Sequence, residues 1–188
     1  MKYLALILCF FSLSTNASEW QSEQTQSELA YSVDFEQLPL NGVFKTFSVS
    51  YRADEKLRVV VDITSVDMGN SDINEAIRDA DWFDIKQYSQ AIYSSTAIEP
   101  TGENSFIALG TLQLKGVSQP VSVPFSWQPS ETSNRATMLG KLTLSRSDFG
   151  IASPEWASGD QIGIPVQIYF ATNSCLLQVP PPPPPPPP

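Results

Sequence analysis

Few side chains in this chain of 188 residues could do acid–base, nucleophilic or metal chemistry: 20 are acidic, 11 basic, two are cysteines and none is histidine. Without histidine, a Ser-His-Asp triad, a histidine general base, a His-ligated zinc or haem and a histidine pH switch are all excluded. Carboxylates remain. Asp79, Asp81 and Asp84 form one cluster, and Asp67 with Asp72 a second. Several carboxylates suit calcium, but their spacing does not match an EF-hand loop, and a solvated acidic face is the better reading. Two carboxylates could also serve a glycosidase, yet no sugar platform accompanies them. Asp148-Phe149-Gly150 matches the metal-binding triplet of kinases but lacks a glycine-rich phosphate loop, so it reads as a turn at a strand end. Arg146 and Asp148 share strand parity and are expected to pair locally. These residues predict a chain that is not an enzyme and uses no metal or cofactor.

The net charge is −9. That argues against nucleic acid and against anionic membrane surfaces. Residues 1–17 read as a secretory signal peptide: Lys2, an apolar run from Tyr3 to Leu13, then small residues at Thr15-Asn16-Ala17. The run is shorter than the roughly 20 residues of a membrane-spanning helix. Cleavage would remove Lys2 and Cys9, leaving a charge of −10 (10 basic minus 20 acidic) and one inert cysteine, Cys175. Nine prolines, Pro180 to Pro188, must form polyproline II and pack no core. The expected organisation is a signal peptide over 1–17, one domain over 18–175 and a proline-rich tail over 176–188.

Between these ends the pattern alternates. Leu57, Val59, Val61 and Ile63 share one parity against Arg58, Asp62 and Thr64, which is the period of a half-buried strand. The same period runs through Leu29-x-Tyr31-x-Val33-x-Phe35, Val43-x-x-x-Phe47-x-Val49-x-Tyr51, a weaker stretch from Ile92 to Ile98, and Phe106-x-Ala108-x-Gly110-x-Leu112-x-Leu114. It continues in Val121-x-Val123-x-Phe125-x-Trp127, Met138-x-Gly140-x-Leu142-x-Leu144 and Ile162-x-Ile164-x-Val166-x-Ile168-x-Phe170. Turns are expected at Pro39 to Gly42, Pro100 to Gly102, Lys115-Gly116 and Pro129 to Asn134. About eight strands with short connections predict an all-β, antiparallel barrel, able to close and hold one small ligand. One helix interrupts it, over Asp72–Asp81. Ser71 or Asp72 would cap it, Ile73, Ala76, Ile77 and Ala80 form its apolar stripe, and Trp82-Phe83 follows.

Several motifs occur together. Ser65-Val66-Asp67 ends a strand; Asp81-Trp82-Phe83-Asp84 and Tyr88 follow the helix; then come Tyr93-Ser94-Ser95-Thr96, Leu114-Lys115-Gly116-Val117 with Pro120-Val121, and Leu144-Ser145-Arg146-Ser147-Asp148-Phe149-Gly150-Ile151. In order and spacing, from about Ser27 to Ala171, the chain resembles the YceI-like family of exported bacterial proteins. The resemblance implies a lipocalin-like eight-stranded barrel with a long apolar cavity for polyisoprenoid or related amphiphilic lipids. Departures from the family pattern fall at Gln26-Ser27, where a histidine often precedes the serine, at Glu36-Gln37-Leu38, and at Tyr88-Ser89, where Tyr-Pro is common. Polar contacts are therefore not carried over.

The cavity is expected to be lined by Tyr31, Phe47, Val49, Val61, Phe83, Tyr93, Phe106, Leu112, Phe125, Trp127, Met138, Leu142 and Ile168. Small residues of the same parity, Ala97, Ala108, Gly110 and Gly140, are expected to leave it open, and Ser27, Tyr93 and Ser95 to offer hydroxyls. The expected function is periplasmic transport or storage of an isoprenoid or other amphiphilic lipid. The alternative is a periplasmic interaction module with a filled barrel.

Overall fold

The computed structural model describes residues 19–52, 56–152, 154 and 156–177. The expected signal peptide, with Cys9, and the proline run lie outside them. In chain order the elements are β1 (Glu19–Ser22), β2 (Glu28–Phe35), β3 (Leu38–Phe44), β4 (Phe47–Arg52), β5 (Lys56–Asp62), β6 (Val66–Asp67), α1 (Ser71–Ala76), β7 (Gln90–Pro100), β8 (Ser105–Leu114), β9 (Val117–Pro129), β10 (Arg135–Ser145) and β11 (Ile162–Leu177). β11 runs two residues past Cys175.

The strands close into an antiparallel barrel of eight staves. The first stave is β1 and β2, broken by a 3-10 turn at Gln24–Gln26; the second is β3 and β4. Then follow β5, β7, β8, β9, β10 and β11. Sixteen-residue β11 pairs with β10 on one side and with β1 and β2 on the other, which closes the ring. Closure leaves no free edge along the staves.

Parity within each strand follows from the pleat, and three local breaks shift it. At Lys45-Thr46 the second stave steps over, so that Phe44, not Val43, faces the cavity alongside Phe47 and Val49. The β7–β8 register shifts between Ser95 and Ala97, so Ile98, not Ala97, packs on the core. A third shift lies between Ile162 and Val166, and Ile164 is left out of the cavity wall.

Two expectations are corrected by the turns and the helix. Pro39 to Gly42 lie inside β3. The β2–β3 turn is Glu36-Gln37, both at positive φ (49° and 68°), the twist a two-residue hairpin needs, without the Asn-Gly that normally signals it. Lys115-Gly116 does join β8 to β9 with two positive φ values, 49° and 74°. The helix covers only Ser71–Ala76 and is capped by the Asn70 side chain, which accepts from the N–H groups of Asp72 and Ile73. Beyond Ile77 the backbone bonds change partner: Phe83 N–H reaches the Ile77 carbonyl, and the Asp81 carbonyl is claimed by Ala152 N–H at 2.8 Å. Lys115 Nζ also reaches the Asp81 carbonyl, at 3.3 Å. These tertiary bonds hold residues 77–86 in successive turns that bring Trp82 and Phe83 over the barrel.

The glycines do not open the lumen. Gly140 lies opposite Phe170 on the paired strand, and a Cβ there would meet Phe170 Cζ at 2.0 Å. Gly42 likewise seats the Tyr31 ring, whereas a Cβ at Gly110 would first meet the β7 backbone, the Ser94 carbonyl at 2.4 Å and Ser95 Cα at 2.7 Å. Gly42 and Gly140 each give an aromatic ring its place, and Gly110 admits the backbone of β7 beside its register shift. Gly140→Ala is therefore expected to lower stability by about 1–3 kcal/mol through overpacking. Thermal unfolding should show the loss, and Phe170→Leu in the same chain should restore most of it.

Candidate functional site

The staves, the turns that follow α1 and the 146–162 segment surround an apolar cavity of about 210 Å3. β5 contributes Leu57, Val59 and Val61, with Ile63 just beyond it; β7 contributes Ala91 and Tyr93. β9 supplies Val121 and Val123, β10 supplies Met138, Leu142 and Leu144, and β11 supplies Val166, Ile168, Phe170 and Thr172.

Of the thirteen expected residues, Tyr31, Phe47, Val49, Val61, Phe83, Tyr93, Leu112, Met138, Leu142 and Ile168 line this cavity. Phe106, Phe125 and Trp127 do not. Phe106 stacks on Phe125 at 5.5 Å, and Trp127 packs edge-on to Trp20 at 5.2 Å and against Tyr51 at 5.9 Å. They plug the end near Met138, whose register partners are Trp127 and Thr172. Alternation places them on the inner face but not at a depth, so parity alone could not separate plug from wall. At the other end Ile77, Trp82, Phe83, Phe149 and Ile151 cover the cavity, partly from segments outside the alternating strands.

Besides the Trp82 indole at one end, four lining side chains carry polar groups. The Tyr31 hydroxyl donates to Met68 Sδ, and burial, with the charge of Asp67 behind it, pushes its pKa well up. The Tyr93 hydroxyl donates to the Ala108 carbonyl at 2.9 Å and contacts the Val121 carbonyl at 3.3 Å; burial pushes it to about 12. Both phenols are favoured neutral in the folded state. Their contribution is complete below the unfolded value near pH 10 and is lost as pH rises through each raised value, about 12 for Tyr93 and higher for Tyr31. Alkaline unfolding followed by phenolate absorbance is expected to show both rings ionising only as the barrel opens, with Tyr93→Phe flattening the pH dependence.

Arg146 is the least expected member of the wall. It lies in the 3-10 turn Arg146–Phe149, is 4% exposed, and makes no pair with Asp148. Asp148 accepts instead from the Ser145 hydroxyl. The guanidinium donates from Nε to the Gly163 carbonyl at 2.9 Å, from Nη1 to Ile151 and Ala152 at 3.1 and 3.2 Å, and from Nη2 to Trp156 and Ile162 at 2.5 and 2.8 Å. All five N–H donors thus meet main-chain carbonyls. Desolvation lowers its pKa, but an arginine stays charged at any ordinary pH.

Thr172, 1% exposed, is the fourth, and its hydroxyl has no hydrogen-bond partner among the described residues. The expected hydroxyls Ser27 and Ser95 serve the backbone instead. Ser95 Oγ accepts from Leu57 N–H, and Ser27 Oγ donates to the Glu23 carbonyl. Among the described residues no cluster of three or more acidic or cysteine side chains could hold a metal ion, and no helix is long and apolar enough to cross a membrane.

Known proteins share this architecture. BcnA of Burkholderia cenocepacia superposes with a TM-score of 0.75 at 30% identity, covering 81% of this chain and 98% of that one. A polyisoprenoid-binding domain from Saccharophagus degradans superposes at 0.70 with 18% identity, over 84% of this chain and 98% of that domain, and so shares the fold. A UPF0312 protein of Vibrio campbellii is 30% identical over 139 residues, 69% of this chain and 72% of its own. The YceI-like domain model matches residues 20–173, and with the closed barrel around one apolar cavity this places the chain in the YceI-like family.

Proposed function

We propose that this protein is an exported carrier that holds the apolar tail of an isoprenoid or similar amphiphilic lipid in its barrel, for transport or storage in the periplasm. The observation that carries this reading is the cavity wall: apart from the Trp82 indole at one end, it is hydrocarbon except for four polar side chains, three of which are bonded to the protein itself. Such a wall takes an apolar chain and offers no arrangement for turnover, so we read the protein as a binder and not a catalyst. At about 10–15 Å3 per water-sized position, the cavity of about 210 Å3 accepts roughly 14–21 non-hydrogen atoms, about three to four isoprene units. Each buried CH2 contributes about 0.8 kcal/mol, so ten of them reach about 8 kcal/mol without any charged contact.

The signal-like residues 1–17 support export, and the polyisoprenoid-binding neighbour supports the ligand class. Organic extraction of the purified protein followed by mass spectrometry is expected to release an isoprenoid or other long-chain lipid. The stripped protein should also retain an added polyprenyl alcohol through gel filtration. Retention of lipid in neither arm overturns the carrier reading and favours a filled-barrel interaction module.

A further inference from the structure

Among the polar side chains of the cavity wall, Thr172 stands apart. Its Oγ1 is enclosed and unpartnered, while the hydroxyls of Tyr31 and Tyr93 and the whole guanidinium of Arg146 are satisfied. An unpartnered buried hydroxyl costs about 1–3 kcal/mol, and valine would fill the same volume without that cost. The position therefore carries a donor that nothing in the barrel uses.

Its place in the fold says what could use it. Thr172 lies ten residues along β11 from Ile162, whose carbonyl Arg146 holds. Ten residues of strand span about 33 Å, or about 25 Å along the axis of a barrel tilted by about 40°. Thr172 is thus at the far end from Trp82 and Phe83, beside Met138 and next to the plug made by Trp127, Trp20 and Tyr51. The wall between the two ends is apolar apart from the two committed phenols.

We infer that Thr172 is the contact for an uncharged oxygen at one end of the bound lipid, so that the ligand lies oxygen-inward, with its hydrocarbon chain running toward Trp82 and Phe83. This rests on the carrier reading and deepens it by naming the head-group class and its orientation. A hydroxyl or carbonyl oxygen satisfies a threonine hydroxyl as acceptor. A carboxylate or phosphate does not suit this end, because no cationic side chain lines it to compensate a buried charge. Arg146, the one cation of the wall, is about 25 Å away and has no free N–H.

The test uses three C20 probes with one branched skeleton: phytane, phytol and phytanic acid. Dissociation constants are measured for the stripped full-length chain and for Thr172→Val. The phytane-to-phytol ratio of dissociation constants is expected to fall about tenfold in Thr172→Val, with phytane itself bound equally well, and phytanic acid should bind the wild-type protein more weakly than phytol. Thr172→Ser keeps the hydroxyl and should keep the wild-type ratio; it also serves if the valine variant does not fold. An equal ratio in the wild-type and valine proteins overturns the inference, and shows that Thr172 meets only a buried water. Binding of phytane with no preference for phytol has the same meaning and leaves the carrier reading standing. Failure to bind any of the three ends the carrier reading, and this inference with it.

Discussion

Arg146→Met is expected to be the most damaging single substitution in this barrel, lowering stability by about 3–5 kcal/mol. Methionine fills comparable apolar volume but leaves the carbonyls of Gly163, Ile151, Ala152, Trp156 and Ile162 without their donor. These carbonyls belong to the segment that covers one end of the cavity and feeds β11. Ala152 within it is fully buried and sits at φ 61°, a conformation unfavourable for a residue with a Cβ and held only by its surroundings. Its N–H is fixed by Asp81 and its carbonyl by Arg146, so loss of the guanidinium releases half of that grip. For a domain of this size each kcal/mol shifts the midpoint by roughly 2–4 °C, so a fall of about 6–20 °C is expected by calorimetry. Arg146→Lys, with three donors in place of five, should fall between the two. A methionine variant that melts within a degree or two of wild type would mean that water replaces the guanidinium at these carbonyls.

The second large effect is on binding. Ala91 is 5% exposed, pairs with Val61 on β5, and faces the cavity. Ala91→Phe places a ring into the space that the carrier reading assigns to the ligand. Retained lipid, measured by extraction and mass spectrometry, is expected to fall at least tenfold. Stability should change by no more than about 1 kcal/mol, because the ring occupies a void and not a packed core. The two substitutions contrast: Arg146→Met weakens the fold and leaves the space, whereas Ala91→Phe fills the space and keeps the fold. Undiminished retention in Ala91→Phe would put the ligand elsewhere on the molecule.

Much of the barrel was legible because antiparallel strands with one wet face write their period into the chain. Leu57 to Ile63 and Val121-x-Val123 needed nothing else. The failures are equally physical. A slipped residue at Lys45-Thr46 exchanged Val43 for Phe44, and a β-bulge near Thr96 exchanged Ala97 for Ile98; neither leaves a mark in residue type. Asp72–Asp81 has a helical pattern, but bonds from Ala152, Lys115 and Phe83 take its carbonyls, and such long-range competition is invisible locally. Gly110 and Gly140 read as gaps because a sequence does not show that a bulged backbone lies against the first and the Phe170 ring across the second. Arg146 and Thr172 were read as strand-end residues or not singled out, since burial of a charge or a hydroxyl depends on segments far away. A polar residue in phase with an otherwise apolar inner face, as Thr172 is with Ile168 and Phe170, was the available signal.

The closure of the ring through β11 has a kinetic consequence. Trp20 pairs with Leu176 and Ser22 with Ser174, partners more than 150 residues apart, whereas the other barrel strands are joined mainly through neighbours along the chain. Contacts of such separation form slowly, because the loop entropy is lost before they reward it. The seam between β11 and the β1–β2 stave is therefore expected to close last, after β11 has paired with β10, its neighbour along the chain. That seam is as long as the cavity, and Thr172 is part of it. On the carrier reading, late closure of this seam gives a lipid a sideways route into the barrel that does not thread past Trp82 and Phe83.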